Sequence, residues 1–457
     1  MYGYVMTDVG LAALSREQLL VLVCEQEGLV AVLRSRNEEL ERRVAELEAK
    51  LGRPSSGATK PEFVKPTRKK ADTPGVRKRR AQAFVRRREK PTHQVVHASS
   101  VCHKCGTSLF GGSIKRRREV LHVPLVPVEV VEHVYIERRC PLCSKRNVPA
   151  VELEGLAMGK SRLSTSTMAM IAAMREVGRM PLRAIQWHLQ VLHNLKLSLG
   201  EIVRVLHKVA EKAKPELEHL RETLRASSVV HADETGWRQN GVNGYVWSFS
   251  TARLRYYLRR ASRGSEVVRE VLGEEFGGVL VSDFYSAYNF LDGPHQRCWV
   301  HLLRDVHELT EHHPQDEALA RWAGAVHELY LEAKAYAKEN RDAPKTERVS
   351  ARWAFEARLL AVATPYLKAD VPQRVLCQRI DRFLAELFTF VELPAVPSDN
   401  NAAERAIRPQ VVARKISGGT RSPKGSATKT TLATIFATWQ LQGLNPFLQC
   451  RTLLNSP

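Results

Sequence analysis

Apolar positions recur every three and four residues through the first part of the chain and set out a heptad. With Val23 at position a, the a series runs Val23, Val30, Asn37, Val44, Leu51 and the d series Leu19, Gln26, Leu33, Leu40, Leu47. β-Branched residues at a with Leu at d favour two parallel strands, and a lone Asn at a fixes register. Arg36 and Arg43 at g can reach Glu41 and Glu48 at e of a partner helix. A leucine-zipper coiled coil over 11–51, and through it a homodimer or higher oligomer, is expected. The competing reading is an amphipathic helix packed on its own domain, and Gly28 inside the repeat weakens the zipper. Residues 160–226 are also helical in pattern, two or three helices with breaks near 178–181 and 199–200, and a helix-turn-helix fits within 180–213. After residue 227 the period shortens to two. SSVVHADETGW reads as a strand ending in acids, NGYVWSFSTAR with LRYYLRRA as a hairpin, and GGVLVSDFYSAY as a second apolar strand ending in an acid. Strand, hairpin, helix, strand, helix predicts a mixed α/β sheet.

Length and charge change this picture in two ways. A chain of 457 residues with 44% hydrophobic positions supports several domains with sizeable cores. The balance of 70 Lys+Arg against 49 Asp+Glu, net +21, favours a polyanionic partner, nucleic acid first. No apolar run approaches the roughly 18 residues of a membrane span, and the N-terminus lacks the basic region of a secretory signal. A cytoplasmic protein with no membrane partner is expected. The charge is concentrated: residues 52–90 hold 14 Lys/Arg against Glu62, Asp72 and Glu89. Prolines 54, 61, 66 and 74 argue against one continuous helix there. The stretch 52–98 reads as a basic DNA-binding linker, its phosphate contacts in two clusters, Arg77-Lys78-Arg79-Arg80 and Arg86-Arg87-Arg88.

Eight cysteines are too few for a disulfide scaffold, and four form Cys102-x2-Cys105 and Cys140-x2-Cys143, 34 residues apart. Each CxxC turn presents two sulfurs to one side, so the pairs together supply the four thiolates of one structural zinc ion. A four-Cys zinc ribbon over 99–150 is expected, with the alternating stretch VLHVPLVPVEVVEHVYIERR returning the chain to close it. A site filled by four thiolates leaves no open position for catalysis, which leaves folding and docking on DNA as its work.

Asp233 and Asp283 would end two buried strands of the sheet. Side chains alternate along a strand, so only one of Asp233 and Glu234 is expected to share a pocket with Asp283. Neighbouring carboxylates are costly to keep charged without a cation, and two divalent ions doing phosphodiester chemistry answer that cost. A third acid is then required. In SDNNAAERAIRPQ a helix from Asn401 places Asn401, Glu404 and Arg408 on one face, with Glu404 towards metal and Arg408 towards phosphate. Asp399 competes for the role, its alternative being a cap or turn residue.

Together HADETGW, VSDFYSAY, CWVHLLRD, the long helical gap and DNNAAERAIRP resemble the catalytic domain of the insertion-sequence-66 (IS66) family of bacterial DDE transposases. The upstream order of zipper, basic linker, four-Cys module and helical segment resembles the family's large transposase subunit, so the likeness covers nearly the whole chain. It implies a multidomain α/β protein with a ribonuclease-H-like catalytic core over 227–430, a helical insertion at about 311–391 and a C-terminal helical element over 431–457. It implies Asp233, Asp283 and Glu404 as the catalytic triad on two Mg (or Mn) ions. The implied activity is cleavage at the ends of an insertion sequence and joining of 3′-hydroxyls to target DNA, with small accessory proteins from the same element. The linker departs from the family in lacking a Gly/Gln/His-rich stretch. The competing readings are an inactive DNA-binding derivative and a metal-dependent nuclease on the same core.

Weaker signals complete the reading. His301 and Arg304 are candidates for the scissile phosphate, with Cys298 a packed thiol. Arg414 and Lys415, beside the Gly-rich loop 418–426, are candidates for DNA phosphate, against a solvated turn. Trp237 and Trp247 are expected in the core, and Cys24, Cys377 and Cys450 as ordinary reduced cysteines.

Overall fold

The computed structural model describes residues 90–456 apart from 119, 122, 124, 125, 150–152, 154 and 160, together with Glu38 and Arg42. The expected coiled coil and both basic clusters therefore lie outside the described residues, although Glu38 and Arg42 are helical. The chain divides into two compact units, Met1–Val120 and Leu121–Pro457.

In the second unit a short antiparallel pair, β1 (Arg138–Arg139) and β2 (Arg146–Asn147), comes first. The alternating stretch before β1 forms no further strand among its described residues, and these are exposed. Its prolines and its lack of a covering layer remove both reasons for pairing. Four helices follow, α1 (Thr165–Glu176), α2 (Leu182–His193), α3 (Leu199–Lys212) and α4 (Lys214–Arg225). That is one more than the pattern predicts, because Pro215 sits in the first turn of α4 and ends the run that began in α3. α3 starts with a reciprocal cap, the Ser198 hydroxyl accepting from Glu201 N–H and the Glu201 carboxylate from Ser198 N–H.

The sheet then forms: β3 (Val229–Gly236), β4 (Tyr245–Ser250), β5 (Arg255–Arg260), α5 (Ser265–Leu272), β6 (Val279–Ser282) and β7 (His295–Arg297). Its order is β5-β4-β3-β6-β7, with β3-β4-β5 antiparallel and β3, β6 and β7 parallel. β7, three residues long, carries no periodic signal in the sequence. A helical block follows: α6 (Trp299–His312), α7 (Glu317–Glu339), α8 (Lys345–Ala363), α9 (Arg374–Arg382) and the single turns α10 (Leu384–Leu387) and α11 (Thr389–Glu392). The chain closes with α12 (Asn401–Ser417), α13 (Pro423–Leu441) and α14 (Pro446–Asn455). A domain boundary at 430/431 thus falls inside one helix, α13.

Three apolar clusters hold this together, the smallest formed by Trp237, Val246, Tyr257 and Ala433. Val230, Ala232, Trp247, Phe249 and Leu280 join side chains of α1, α3, α5 and α14. Val279 and Val281 join Trp299, Leu302, Val326, Leu359 and Phe388 of the helical block. Trp237 and Trp247 are both buried, as expected of core residues. The open edge of β5 is covered by α13: Thr434 Oγ1 accepts from Tyr257 N–H at 2.9 Å and Thr438 Oγ1 from Arg255 N–H at 3.1 Å. Hydroxyls on a helix take the place of a missing strand there.

Candidate active site

Parallel pairing of β3 with β6 matches Val229 to Val279 and His231 to Val281, so two residues further on Asp233 stands beside Asp283. The alternation along β3 sorts its side chains. Val230 and Ala232 enter the α5-side core. His231 and Thr235 meet α12: His231 Nδ1 lies 3.1 Å from Asn400 Oδ1, and Thr235 Oγ1 accepts from Arg414 at 3.0 Å. Asp233 shares that parity and faces α12, while Glu234 points to the opposite side, where Tyr288 and Arg263 hold it. The segregation of these two acids matches expectation.

The third acid sits in the first turn of α12, whose start is pinned by Asn400. Its side-chain amide donates to Ala232 O at 2.8 Å, and its backbone N–H donates to the buried Cys298 Sγ at 3.1 Å. α12 is thereby tied to β3 one residue from Asp233. Asp399 takes the turn role, its Oδ1 accepting from Asn401 N–H at 3.0 Å. Glu404 Oε1 lies 3.8 Å from His301 Nε2 and 3.9 Å from Arg304 Nη2, both on α6. His301 Nδ1 is buried and has no hydrogen-bond partner among the described residues.

Asp283 is held through its backbone and its carboxylate. Arg297, with no exposed surface, donates to Asp283 O at 2.8 Å, to Asn289 Oδ1 at 2.6 Å and to Glu386 Oε2 at 2.6 Å. Asp283 Oδ1 accepts from Tyr285 N–H at 2.9 Å. Sequence reasoning passed over Asn400 and Arg297. The doubled Asn after Asp399 was a signal for the first; the second is an Arg in a three-residue strand and had none.

Burial pushes the Asp233 carboxyl up to about 7, and the charges of Glu234, then Asp283 and Glu404, push the same way. The Glu234 N–H that Asp233 accepts works against them. Burial also raises Glu234, partly offset by its bonds to Tyr288 and Arg263. Asp233 thus feels the charges of Asp283 and Glu404, and the three acids offer only oxygen, the donor set of a hard divalent cation. As the side chains stand, no three His, Cys, Asp or Glu among the described residues converge at metal-ligand spacing.

The profile of the family described as "Transposase IS66 family" matches residues 160–428, more than half of the chain and all three acids. The chain belongs to the IS66 transposase family. It is also similar to three uncharacterized proteins of Sinorhizobium fredii (strain NBRC 101917 / NGR234). The identity to y4jO is 31% over 167 residues, covering 36% of this chain and 49% of that protein. To y4qI it is 27% over 265 residues, covering 50% and 48%, and to y4jD 24% over 303 residues, covering 57% and 58%. The chain spans about half the length of the curated relatives it matches.

In this IS66 family member the basic candidates separate. His301 and Arg304 gather at Glu404, and Arg408 is exposed on the same helix. Arg414 is committed to β3, donating to Thr235 Oγ1 and to Gly236 O, whereas Lys415 is exposed. The loop after α12 begins with Gly418 at φ +68, a left-handed C-cap. Further along, Thr420 N–H donates to Arg238 O, so this loop is docked rather than a free turn. No helix among the described residues is long and apolar enough to cross a membrane.

The CxxC turns share one geometry. In the first unit Gly106 N–H donates to Cys102 O at 2.8 Å, with Gly106 at φ +74; the Cys105 thiol is lowered chiefly by its hydrogen bond from the Thr107 hydroxyl. In the second unit Ser144 N–H donates to Cys140 O at 2.9 Å, with Ser144 at φ +59, and backbone N–H groups of Cys143 and Leu142 lower the Cys140 thiol. A left-handed residue after each pair turns the chain back sharply. Cys377 and Cys450 are buried and unbridged, and burial pushes them up to about 11 and about 12.

Proposed function

We propose that this chain binds the ends of an insertion sequence, cleaves DNA there and joins the freed 3′-hydroxyl to target DNA. The observation that carries the reading is the adjacency of Asp233 on β3 and Asp283 one residue past the end of its parallel neighbour β6, with Glu404 presented by a helix bonded to β3. The antiparallel hairpin half and parallel half of the sheet support a ribonuclease-H-like core, with α7–α11 as its insertion.

Asp233, Asp283 and Glu404 would hold two Mg (or Mn) ions. Such ions, when bound, activate the attacking oxygen and stabilise the leaving one. Around them Arg297 and Asn400 orient the acids, while His301, Arg304 and Arg408 meet the phosphate that is cut. Water opens one phosphodiester and leaves a 3′-hydroxyl; that hydroxyl attacks a target phosphorus in line, exchanging one phosphodiester bond for another. Lys415 and the basic clusters at 77–80 and 86–88 bind phosphate without reading sequence. Cys102 with Cys105 and Cys140 with Cys143 are the thiol pairs that would ligate structural zinc. The heptad over 11–51 makes the active form a dimer or larger, working with small accessory proteins from the same element.

The test compares wild type with Glu404→Gln on a plasmid carrying the DNA that flanks this gene, with Mg²⁺ or Mn²⁺ and with precleaved ends. Nicked and joined products from wild type alone, with DNA affinity unchanged in the variant, are expected. Equal products from both proteins would remove Glu404 from the chemistry, and nicking without joining would leave a nuclease.

A further inference from the structure

The acid left over on the far face of the sheet, Glu234, is more fully bonded than any of the three acids it stands beside. Its Oε1 accepts from Arg263 Nε at 2.9 Å and Nη2 at 2.6 Å, its Oε2 from Tyr288 Oη at 2.6 Å, and its side chain is only 3% exposed. Both donors lead to the segment that carries Asp283. The Arg263 guanidinium lies 3.9 Å over the Tyr285 ring, Tyr285 Oη donates back to Arg263 O at 2.9 Å, and Tyr285 N–H is the donor to Asp283 Oδ1. Tyr288 closes the same segment three residues on, fully buried and edge-on to Trp247, the β4 partner of Glu234.

The chain of contact therefore leaves β3 at the residue after Asp233, passes behind the sheet and returns at Asp283. With its oxygens taken by three donor bonds and its side chain on the wrong face, Glu234 is no ligand. An ion pair between a half-exposed Arg and a buried Glu adds little net stability over an apolar packing of the same shape. What it adds is a fixed distance. We propose that Glu234 is a positioning residue which, through Arg263, Tyr285 and Tyr288, sets Asp283 against Asp233 and so sets the affinity of this pair for a divalent cation. The proposal rests on the reading of the three acids as a metal site.

The test is made on the full chain without DNA, counting unbound Mn²⁺ by electron paramagnetic resonance, with Asp283→Ala marking the site in question. Glu234→Gln keeps an acceptor for Tyr288 but loses the charge that holds Arg263. Arg263→Ala removes a half-exposed partner and guards against a Glu234 variant that fails to fold. Each is expected to weaken the Asp283-dependent Mn²⁺ site roughly tenfold or more, as loss of an outer partner does elsewhere. The double variant should be little worse than either single one, because both break one chain of contacts. The Mn²⁺ needed for half-maximal nicking should rise in step, while metal-free DNA affinity stays at the wild-type value; a purely structural pair would lower the melting temperature and leave the Mn²⁺ affinity of the folded protein unchanged. Folded variants that bind Mn²⁺ as wild type does would overturn the positioning role alone. A wild type with no Mn²⁺ site sensitive to Asp283→Ala would overturn it together with the reading of the acids.

Discussion

His295 shows how much of this site is decided one side chain at a time. It is wholly buried on β7, with Nε2 2.9 Å from Ser282 Oγ and Nδ1 3.3 Å from Glu386 Oε2. That carboxylate would favour an imidazolium, but it is already paired with Arg297 at 2.6 Å. Burial, and then the Arg297 charge, hold His295 well below its ordinary value. A histidine kept neutral in the fold but free to protonate when unfolded makes the unfolded chain the better proton binder below about pH 6.5. Stability from this residue is present above that pH and lost as the pH falls. Between pH 7.5 and pH 5 that contribution is progressively lost. Urea titrations at the two pH values should show His295→Gln losing less stability than wild type; equal losses would mean that His295 titrates alike in both states. Residue-scale logic of this kind was partly open to sequence reasoning. The separation of Asp233 from Glu234 follows from the strand period alone. The Arg297–Glu386 pair, 89 residues apart, does not follow from any local pattern.

At the scale of elements, α13 is the instructive case. Its sequence KTTLATIFATWQL has no polar face in the ordinary sense, and it reads as a C-terminal appendage beginning near 431. The fold uses it as part of the sheet: Thr434 and Thr438 satisfy the edge of β5, while Leu432, Ile435, Phe436 and Trp439 are buried. At roughly 2 kcal/mol for each large apolar side chain, removing these four withdraws about 8 kcal/mol, comparable to the whole stability of a domain. A chain ending at residue 430 should therefore lack a cooperative thermal transition followed by near-ultraviolet circular dichroism. A transition like that of the full chain would show α13 to be dispensable. The helix count upstream carries the opposite lesson. The break between α3 and α4 was there to be read in Pro215, since a proline belongs in a first turn and not in a helix interior.

For the whole molecule the dominant number is the charge of +21, over half of it within residues 52–90. Each CxxC turn ends on a left-handed residue, Gly106 or Ser144, whose N–H donates back to the first Cys of the pair. One zinc ion per chain is expected by elemental mass spectrometry, lost on replacing either pair (Cys102→Ser with Cys105→Ser, or Cys140→Ser with Cys143→Ser). Zinc retained in both double variants would mean that the pairs do not share an ion.

The sequence by itself determined what repeats at short range or stands at a fixed offset: the strand that carries Asp233, although it runs on to Gly236 rather than ending at the acid, the hairpin after it, the helix carrying Glu404, the CxxC turns and the family to which the chain belongs. These follow from the 2.0 and 3.6 periods and from turn chemistry, which act over a few residues. Only the tertiary structure decided what joins distant segments: Asn400 against Ala232 and Cys298, Arg297 against Asp283 and Glu386, and α13 against the edge of β5. In each of these a buried polar group must find a partner, and burial leaves it no water to use instead. Which partner it finds depends on how the layers stack, because a hydrogen bond reaches about 3 Å whatever the distance along the chain.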